Sequence, residues 1–442
     1  MNSLVNVEGF DREAFEKIHQ SGEQVTSIRV NPAKKSEIRN PKSKIPWTEF
    51  GYYLQSRPSF TFDPLFHAGC YYVQEASGMF LEQALKQTVD LSNQIRILDL
   101  AAAPGGKSTH IQSLITKDSL LVSNEVIKSR ANILQDNMIK WGSENVVVTN
   151  NDPKDFARLE NYFDVIVVDA PCSGSGLFRK DEEAISEWSL NNVQLCSQRQ
   201  QRILADVWPA LKKNGVLIYS TCSYSREEDE EIAQRIRKQF AAEYLELKIE
   251  DDWKITKTSE GYRFWPYNVK GEGFFIACFK KIDGEEAFRV RSKSKLRSFD
   301  KKQIELVGKW LKNETKAMER QFVEMDNSIY AISKNLTADI NLLSEKLRVN
   351  YFGARLGEWV HDKLIPDHAL AMSTLVSEQV DSIDLNLANA ITYLKKKELR
   401  LSELSKGWKL VKYEGQNLGW INVLANRVNN YYPKELRILK DI

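Results

Sequence analysis

The stretch DVIVVDAPCSGSGLFRK, Asp164 to Lys180, decides the fold. Its first half is a run of apolar, mostly β-branched residues, the signature of a strand buried on both faces. The run stops on a carboxylate, Asp169, and turns through Ala170-Pro171 to Cys172. A small-residue loop follows, Ser173-Gly174-Ser175-Gly176. A buried strand that ends on an acid, a thiol and a flexible loop presents chemistry at the carboxyl edge of an α/β sheet.

Strands and helices alternate outward from this stretch. Upstream, Ile95–Leu100 reads as a strand, Ala101–Lys107 as a tight loop and Ser108 onward as a helix. Leu120–Asn124 is a further strand, Ile127–Lys140 a helix and Asn145–Thr149 a strand. Downstream, Gly215–Tyr219 continues the series and Phe274–Phe279 closes it. The alternation predicts a doubly wound, Rossmann-like α/β parallel sheet with helices on both faces. Residues 1–70 form a small N-terminal α/β domain with a helix at Arg12–Gln20 and a strand at Ser27–Val30. The sheet domain spans 71–283, a basic linker 284–302, and a C-terminal α+β region 303–442. That region is predicted to open with a helix over Ile304–Phe322 and to end in a β-rich module around Trp408–Tyr413 and Leu418–Ile421.

Composition sets bounds on function. The chain has 442 residues and a formal charge of +2, so a case for nucleic acid must rest on local patches. The linker supplies one, with seven Lys or Arg between Arg289 and Lys302 against one acid, Asp300. Arg29, Lys34, Lys35, Lys42, Lys44 and Arg57, interleaved with aromatics, offer a second. The five cysteines are odd in number and form no CxxC pair, which argues against a disulfide framework or a metal site and for a reducing, cytoplasmic setting. The N-terminus lacks the pattern of a signal peptide, and no apolar run is long enough for a membrane span.

Three motifs carry chemistry. The first is the loop Ala101-Ala102-Ala103-Pro104-Gly105-Gly106-Lys107, whose backbone N–H groups can approach a ligand closely. Gly106-Lys107-Ser108 also matches the end of a phosphate-binding P-loop, but Ala101 stands where the first glycine of that pattern belongs. The second is a pair of acids after the next two strands, Glu125 and Asp152. An acid some 20 residues beyond the glycine loop is where dinucleotide folds bind a ribose diol. Each acid could instead cap a helix. A ligand with adenosine and no polyphosphate suits these carboxylates, and the sulfonium of S-adenosyl-L-methionine suits them too.

The third motif is a pair of thiols, Cys172 and Cys222, each where a strand gives way to a loop. Cys70, Cys196 and Cys278 read as core residues. A strand-end thiol near helix N-termini is set up to act as a thiolate nucleophile. Methylating carbon 5 of cytosine calls for one, because that carbon becomes nucleophilic only after a thiolate adds to carbon 6. Asp169 is placed to hold N3 of the ring, and a second group such as Cys172 to assist release.

These stretches resemble the RNA cytosine-5 methyltransferase family of the Nop2/Sun type. The likeness is carried by SIRVNP, YYVQEASGM, AAAPGGK, SNEV followed by Arg130, DAPCSGSG, YSTCSYSREEDEE and RFWPYNVKGEGFF. It implies that Cys222 is the nucleophile, that Cys172 assists product release, and that Ala101–Lys107, Glu125, Arg130, Asp152 and Asp169 contact S-adenosylmethionine. The C-terminal stretches GARLGEW, PDHALAM and LGWINVLANRVNNYYPKELR look like the bacterial branch that modifies 16S ribosomal RNA, with a PUA-like tail. The expectation is a monomer acting on 16S ribosomal RNA or the small ribosomal subunit. The alternatives are the same chemistry on transfer RNA and a non-catalytic RNA-binding assembly factor.

Overall fold

The computed structural model describes residues 2–34, 36–284, 296–312, 319–361, 363–401 and 404–441. Arg289, Arg291, Lys293 and Lys295 of the basic linker, and Lys35, lie outside the described residues.

A ten-stranded mixed sheet forms the centre. Its strands in chain order are β1 (Arg96–Asp99), β2 (Leu120–Asn124), β3 (Val146–Thr149), β4 (Phe163–Asp169), β5 (Leu211–Thr221), β6 (Glu243–Leu245), β7 (Thr256–Lys257), β8 (Tyr262–Phe264), β9 (Phe274–Lys280) and β10 (Val349–Phe352). The spatial order is β7-β8-β9-β5-β4-β1-β2-β3-β10, with β6 pairing β9. Strands β3, β2, β1, β4 and β5 run parallel. The chain goes outward one way through β1, β2 and β3 and the other way through β4 and β5. This reversal opens a crevice between β1 and β4 at their carboxyl ends. Val165 to Val168 of β4 are fully buried, as their unbroken apolar run requires.

Two features depart from the sequence reading. Strand β9 is antiparallel to both β5 and β8. The nine residues between β8 and β9 are too few for the crossover that parallel pairing needs. Nor is β9 the last strand of the sheet, because β10 from the C-terminal region pairs antiparallel with β3 at the far edge.

The N-terminal sheet holds Ser27–Val30, Pro41–Lys44, Gly51–Leu54 and Tyr71–Val73. Arg12–Gln20 is a helix capped by Asp11, whose carboxylate accepts from the Ala14 N–H. The proposed basic face of this unit loses two members. The Arg29 side chain is buried and donates to Gln74, Ser113, Thr109 and the Gly106 carbonyl. The Lys34 ammonium donates to the carbonyls of Ala68 and Lys140. Both are internal braces, and burial pulls Lys34 down to about 8.

In the C-terminal region the expected long helix stops early. It spans Lys301–Gly308, opened by a capping box between Asp300 and Gln303, while Arg320–Met325 is a strand. Phe322 faces inward from that strand in a five-stranded sheet. A four-stranded sheet of Ser382–Asp384, Gly407–Tyr413, Gln416–Val423 and Val428–Asn430 forms the last module. No helix among the described residues is long and apolar enough to cross a membrane.

Candidate active site

The register of β4 and β5 brings the two thiols together. Asp169 lies opposite Ser220, and the Ala170 N–H donates to the Ser220 carbonyl over 2.8 Å. Cys172 and Cys222 leave the sheet just beyond this pair, and their sulfurs stand 3.0 Å apart. The loop after Cys172 then folds back against the one after Cys222. Gly176 donates its N–H to the Cys222 carbonyl, and a Cβ there would come within 2.6 Å of the Cys222 and Gly273 carbonyl oxygens. Only glycine permits that approach.

The pair is asymmetric. Hydrogen bonding to Cys222, burial and nearby negative charge push the Cys172 thiol well above its ordinary value. The protonated form of Cys172 is thereby favoured. Cys70, Cys196 and Cys278 are buried in the packing.

Asp169 is joined to the glycine loop. Its carboxylate accepts from the Lys107 ammonium at 2.7 Å and from the Ser220 hydroxyl at 2.8 Å. Burial works against the Lys107 charge, but Asp169 outweighs it and holds the ammonium above its ordinary value. Ser108 donates to Asp99 at the end of β1. The two side chains that gave the loop its P-loop appearance are thus committed to internal carboxylates. Asp99 has no exposed surface, its other oxygen is unpartnered, and burial lifts its carboxyl to about 7.

A cavity of about 250 Å³ joins these elements. Ala101 to Pro104, Gly106 and Lys107 line it with Asp169 and Cys222, and Tyr72, Gln74, Glu75 and Glu272 complete its wall. The loop itself is held from outside, where Arg130 donates to the Ala103 carbonyl at 2.9 Å. Gly105 turns with φ of +114°, the left-handed region that glycine enters freely. Glu125 and Asp152 are not part of this lining. Glu125 is buried at the end of β2, accepts from the Ile127 N–H and lies 3.6 Å from Arg130. Asp152, beyond β3, caps the following turn by accepting from the Lys154 N–H.

Sequence reasoning passed over several members. Asp99 carried a signal, an acid inside an apolar strand at the head of the glycine loop. The segment Tyr72–Glu75 forms the outer wall, and its Glu75 accepts from the backbone N–H of Gly78 and of Glu272. Three successive acids, Glu228, Asp229 and Glu230, are buried behind the thiols. Asp229 accepts from the Thr221 hydroxyl, and Glu230 holds Arg263 through both oxygens, each 2.5 Å away.

The chain resembles known proteins along most of its length. The family described as 16S rRNA methyltransferase RsmB/F matches residues 86–280. The N-terminal domain of 16S rRNA methyltransferase RsmF matches residues 1–76, and the methyltransferase RsmF PUA domain matches residues 380–438. Ribosomal RNA small subunit methyltransferase F of Vibrio campbellii is 30% identical over 441 residues, covering 93% of this chain and 91% of that protein. The protein of the same name from Psychromonas ingrahamii is 31% identical, covering 93% and 90%. Among solved structures, a methyltransferase homolog protein from Pyrococcus horikoshii is 27% identical, with a TM-score of 0.52 over 61% of this chain and 90% of that one. NSun6 from Pyrococcus horikoshii, solved with SFG, shares the fold at 20% identity, with a TM-score of 0.52 over 62% of this chain and 94% of that one.

Proposed function

The chain belongs to the 16S rRNA methyltransferase RsmB/F family, and we propose that it methylates carbon 5 of a cytosine in 16S ribosomal RNA through a covalent bond from Cys222. The observation that carries this reading is the thiol pair, 3.0 Å apart, with Cys222 on the wall of the same cavity as Lys107, Asp169 and the glycine loop.

The cavity suits S-adenosylmethionine, which supplies an electrophilic methyl group when bound. SFG, in the Pyrococcus horikoshii NSun6 structure, is an analogue of that cofactor. Ala101 to Pro104 and Gly106 line the space, and the acids Glu75, Asp169 and Glu272 stand on its wall. Glu125 and Asp152 continue the same sheet edge, where acids suit the hydroxyls and amine of an adenosine. Carboxylates also tolerate a sulfonium cation better than they would a polyphosphate.

The chain's own groups divide the remaining work. The Cys222 sulfur adds to carbon 6, and the electron pair of the ring moves toward N3 and carbon 5. Lys107, charged and paired with Asp169, gives a proton-bearing couple beside the ring, where charge develops. After the methyl group is in place, the carbon 5 proton passes to water, its electron pair re-forms the carbon 5–carbon 6 double bond, and the Cys222 sulfur leaves with the electrons of its bond to carbon 6. Cys172, which holds its proton, donates to that departing sulfur. The target base must leave its stack to reach the cavity, so it belongs in a loop or an opened helix. The PUA match at 380–438 and the relatives' names favour ribosomal over transfer RNA.

The test is methyl transfer from labelled S-adenosylmethionine to 16S ribosomal RNA, free and in small subunits. Cys222→Ala should lose at least about 10⁴-fold in turnover, as expected for a missing nucleophile, and still bind the cofactor. Near-wild-type turnover in that variant would overturn the covalent reading.

A further inference from the structure

We propose that Glu228 is the positioning residue of the thiol pair: its carboxylate ties the residue after Cys172 to the residue after Cys222, and so keeps the second sulfur within reach of the first during product release. The inference rests on the covalent reading above.

The geometry is specific. One Glu228 oxygen accepts from the Ser173 N–H at 2.7 Å. The other accepts from the Ser173 hydroxyl at 2.5 Å and from the Ser223 hydroxyl at 2.6 Å. Ser173 follows Cys172 and Ser223 follows Cys222, so a single carboxylate spans both loops. The side chain has no exposed surface, and among the described residues no cation lies within ion-pair distance of it. Its neighbours differ, since Asp229 and Glu230 both face Arg263.

A buried carboxylate without a counter-ion is costly unless hydrogen bonds replace its water. Here three donors do so, and the acceptor count explains the residue type. A glutamine would present one acceptor oxygen and an N–H₂ group, and could not receive all three. The backbone contact from Gly176 to the Cys222 carbonyl sets the loop floor. Glu228 acts one residue further along, beside the sulfurs.

The carboxylate has a second consequence. Its negative charge adds to the effects of Cys222 and of burial that keep Cys172 protonated. Removing that charge favours the Cys172 thiolate, a change that loosened packing does not explain.

The experiment uses the full-length protein, 16S ribosomal RNA and S-adenosylmethionine, with Cys172 intact. Four quantities are compared between wild type and Glu228→Gln: turnover, cofactor Kd, the fraction of enzyme in a denaturant-stable RNA adduct, and the rate of Cys172 alkylation by iodoacetamide. Turnover should fall about a hundredfold, the scale of a small misplacement of reacting groups. Cofactor Kd should not change, the adduct should accumulate, and Cys172 should alkylate faster. Ser173→Ala, which keeps the carboxylate and its Ser223 bond, should shift turnover and adduct in the same direction by less, and it carries the test where the first variant does not fold. Wild-type turnover in Glu228→Gln, or loss of turnover with neither adduct nor faster alkylation, would overturn the proposal; so would unchanged turnover and adduct in Ser173→Ala. Cys222→Ala run in parallel separates the two ideas. Methylation or an adduct persisting there defeats the covalent reading, whereas its loss there with no effect at Glu228 defeats only the positioning role.

Discussion

At the ends of β4 and β5 the carboxylates hold separate segments through short contacts, whereas at the ends of β2 and β3 each accepts its hydrogen bond from its own turn and meets a cation only at longer range, Glu125 to Arg130 at 3.6 Å and Asp152 to Arg202 at 3.7 Å. Asp169 joins the glycine loop to β5, Glu228 joins the two thiol loops, and Asp229 joins Thr221 to Arg263. Glu125 and Asp152 accept from N–H groups two residues ahead of them. The first edge is therefore a cross-linked frame around the two sulfurs. The second is a set of local caps with looser ion pairs. A cross-linked frame suits a step in which sulfur, ring and proton must stay aligned, while a binding edge tolerates small adjustments.

Substitutions on the two edges should separate in size and kind. The largest effect after loss of Cys222 itself falls on Cys172. Cys172→Ala should reduce multiple turnover by about 10²-fold or more through loss of the proton donor, while a single methyl transfer still occurs. Single-turnover and steady-state measurements on the same preparation check this. An equal loss in both would mean that Cys172 acts before methyl transfer.

On the binding edge, Glu125→Gln should raise the KM for S-adenosylmethionine by about tenfold or less, the worth of one hydrogen bond, with kcat nearly unchanged. A fall in kcat without a change in KM would move Glu125 into the frame and blur the comparison.

The smallest effect is on stability, at Asp99 between the two edges. Burial lifts its carboxyl to about 7, so the folded chain keeps this proton while the unfolded chain releases it at about 4. Its contribution to stability is complete below about 4 and declines as pH rises toward about 7. Asp99→Asn removes this decline. The melting temperature of the variant, relative to wild type, should rise between about pH 5 and about pH 7.5 and stay level above. A difference that does not change with pH would mean that Asp99 is ionised in the folded protein.

The contrast also accounts for what could be read from the chain. Local devices were legible: the glycine loop, the buried run before Asp169, the helix at Arg12–Gln20, and a thiol at each strand end. Their meeting was not, because Cys172 and Cys222 approach only through the pairing of Asp169 with Ser220. Glu228, Asp229 and Glu230 gave no local sign of burial, since three charges in a row have no inward periodicity. They are buried because their partners lie behind the thiol loops: Ser173 and Ser223 for Glu228, Thr221 for Asp229, and Arg263 for both Asp229 and Glu230. Arg29 and Lys34 misled in the same sense, as cations whose partners are backbone and side-chain oxygens far along the chain. Strand β10 escaped notice for a related reason. It pairs with β3 across some 200 residues, and nothing within Val349–Phe352 names that edge.

The central claim is that Cys222, and not Cys172, bonds to the cytosine. It is tested most directly by trapping Cys172→Ala with 16S ribosomal RNA and S-adenosylmethionine, digesting the denatured adduct with nuclease and protease, and weighing the peptides. A methylated cytidine nucleotide is expected on the peptide that contains Cys222. No nucleotide on that peptide under turnover conditions, or an adduct that survives in the Cys172→Ala, Cys222→Ala double variant, would contradict it.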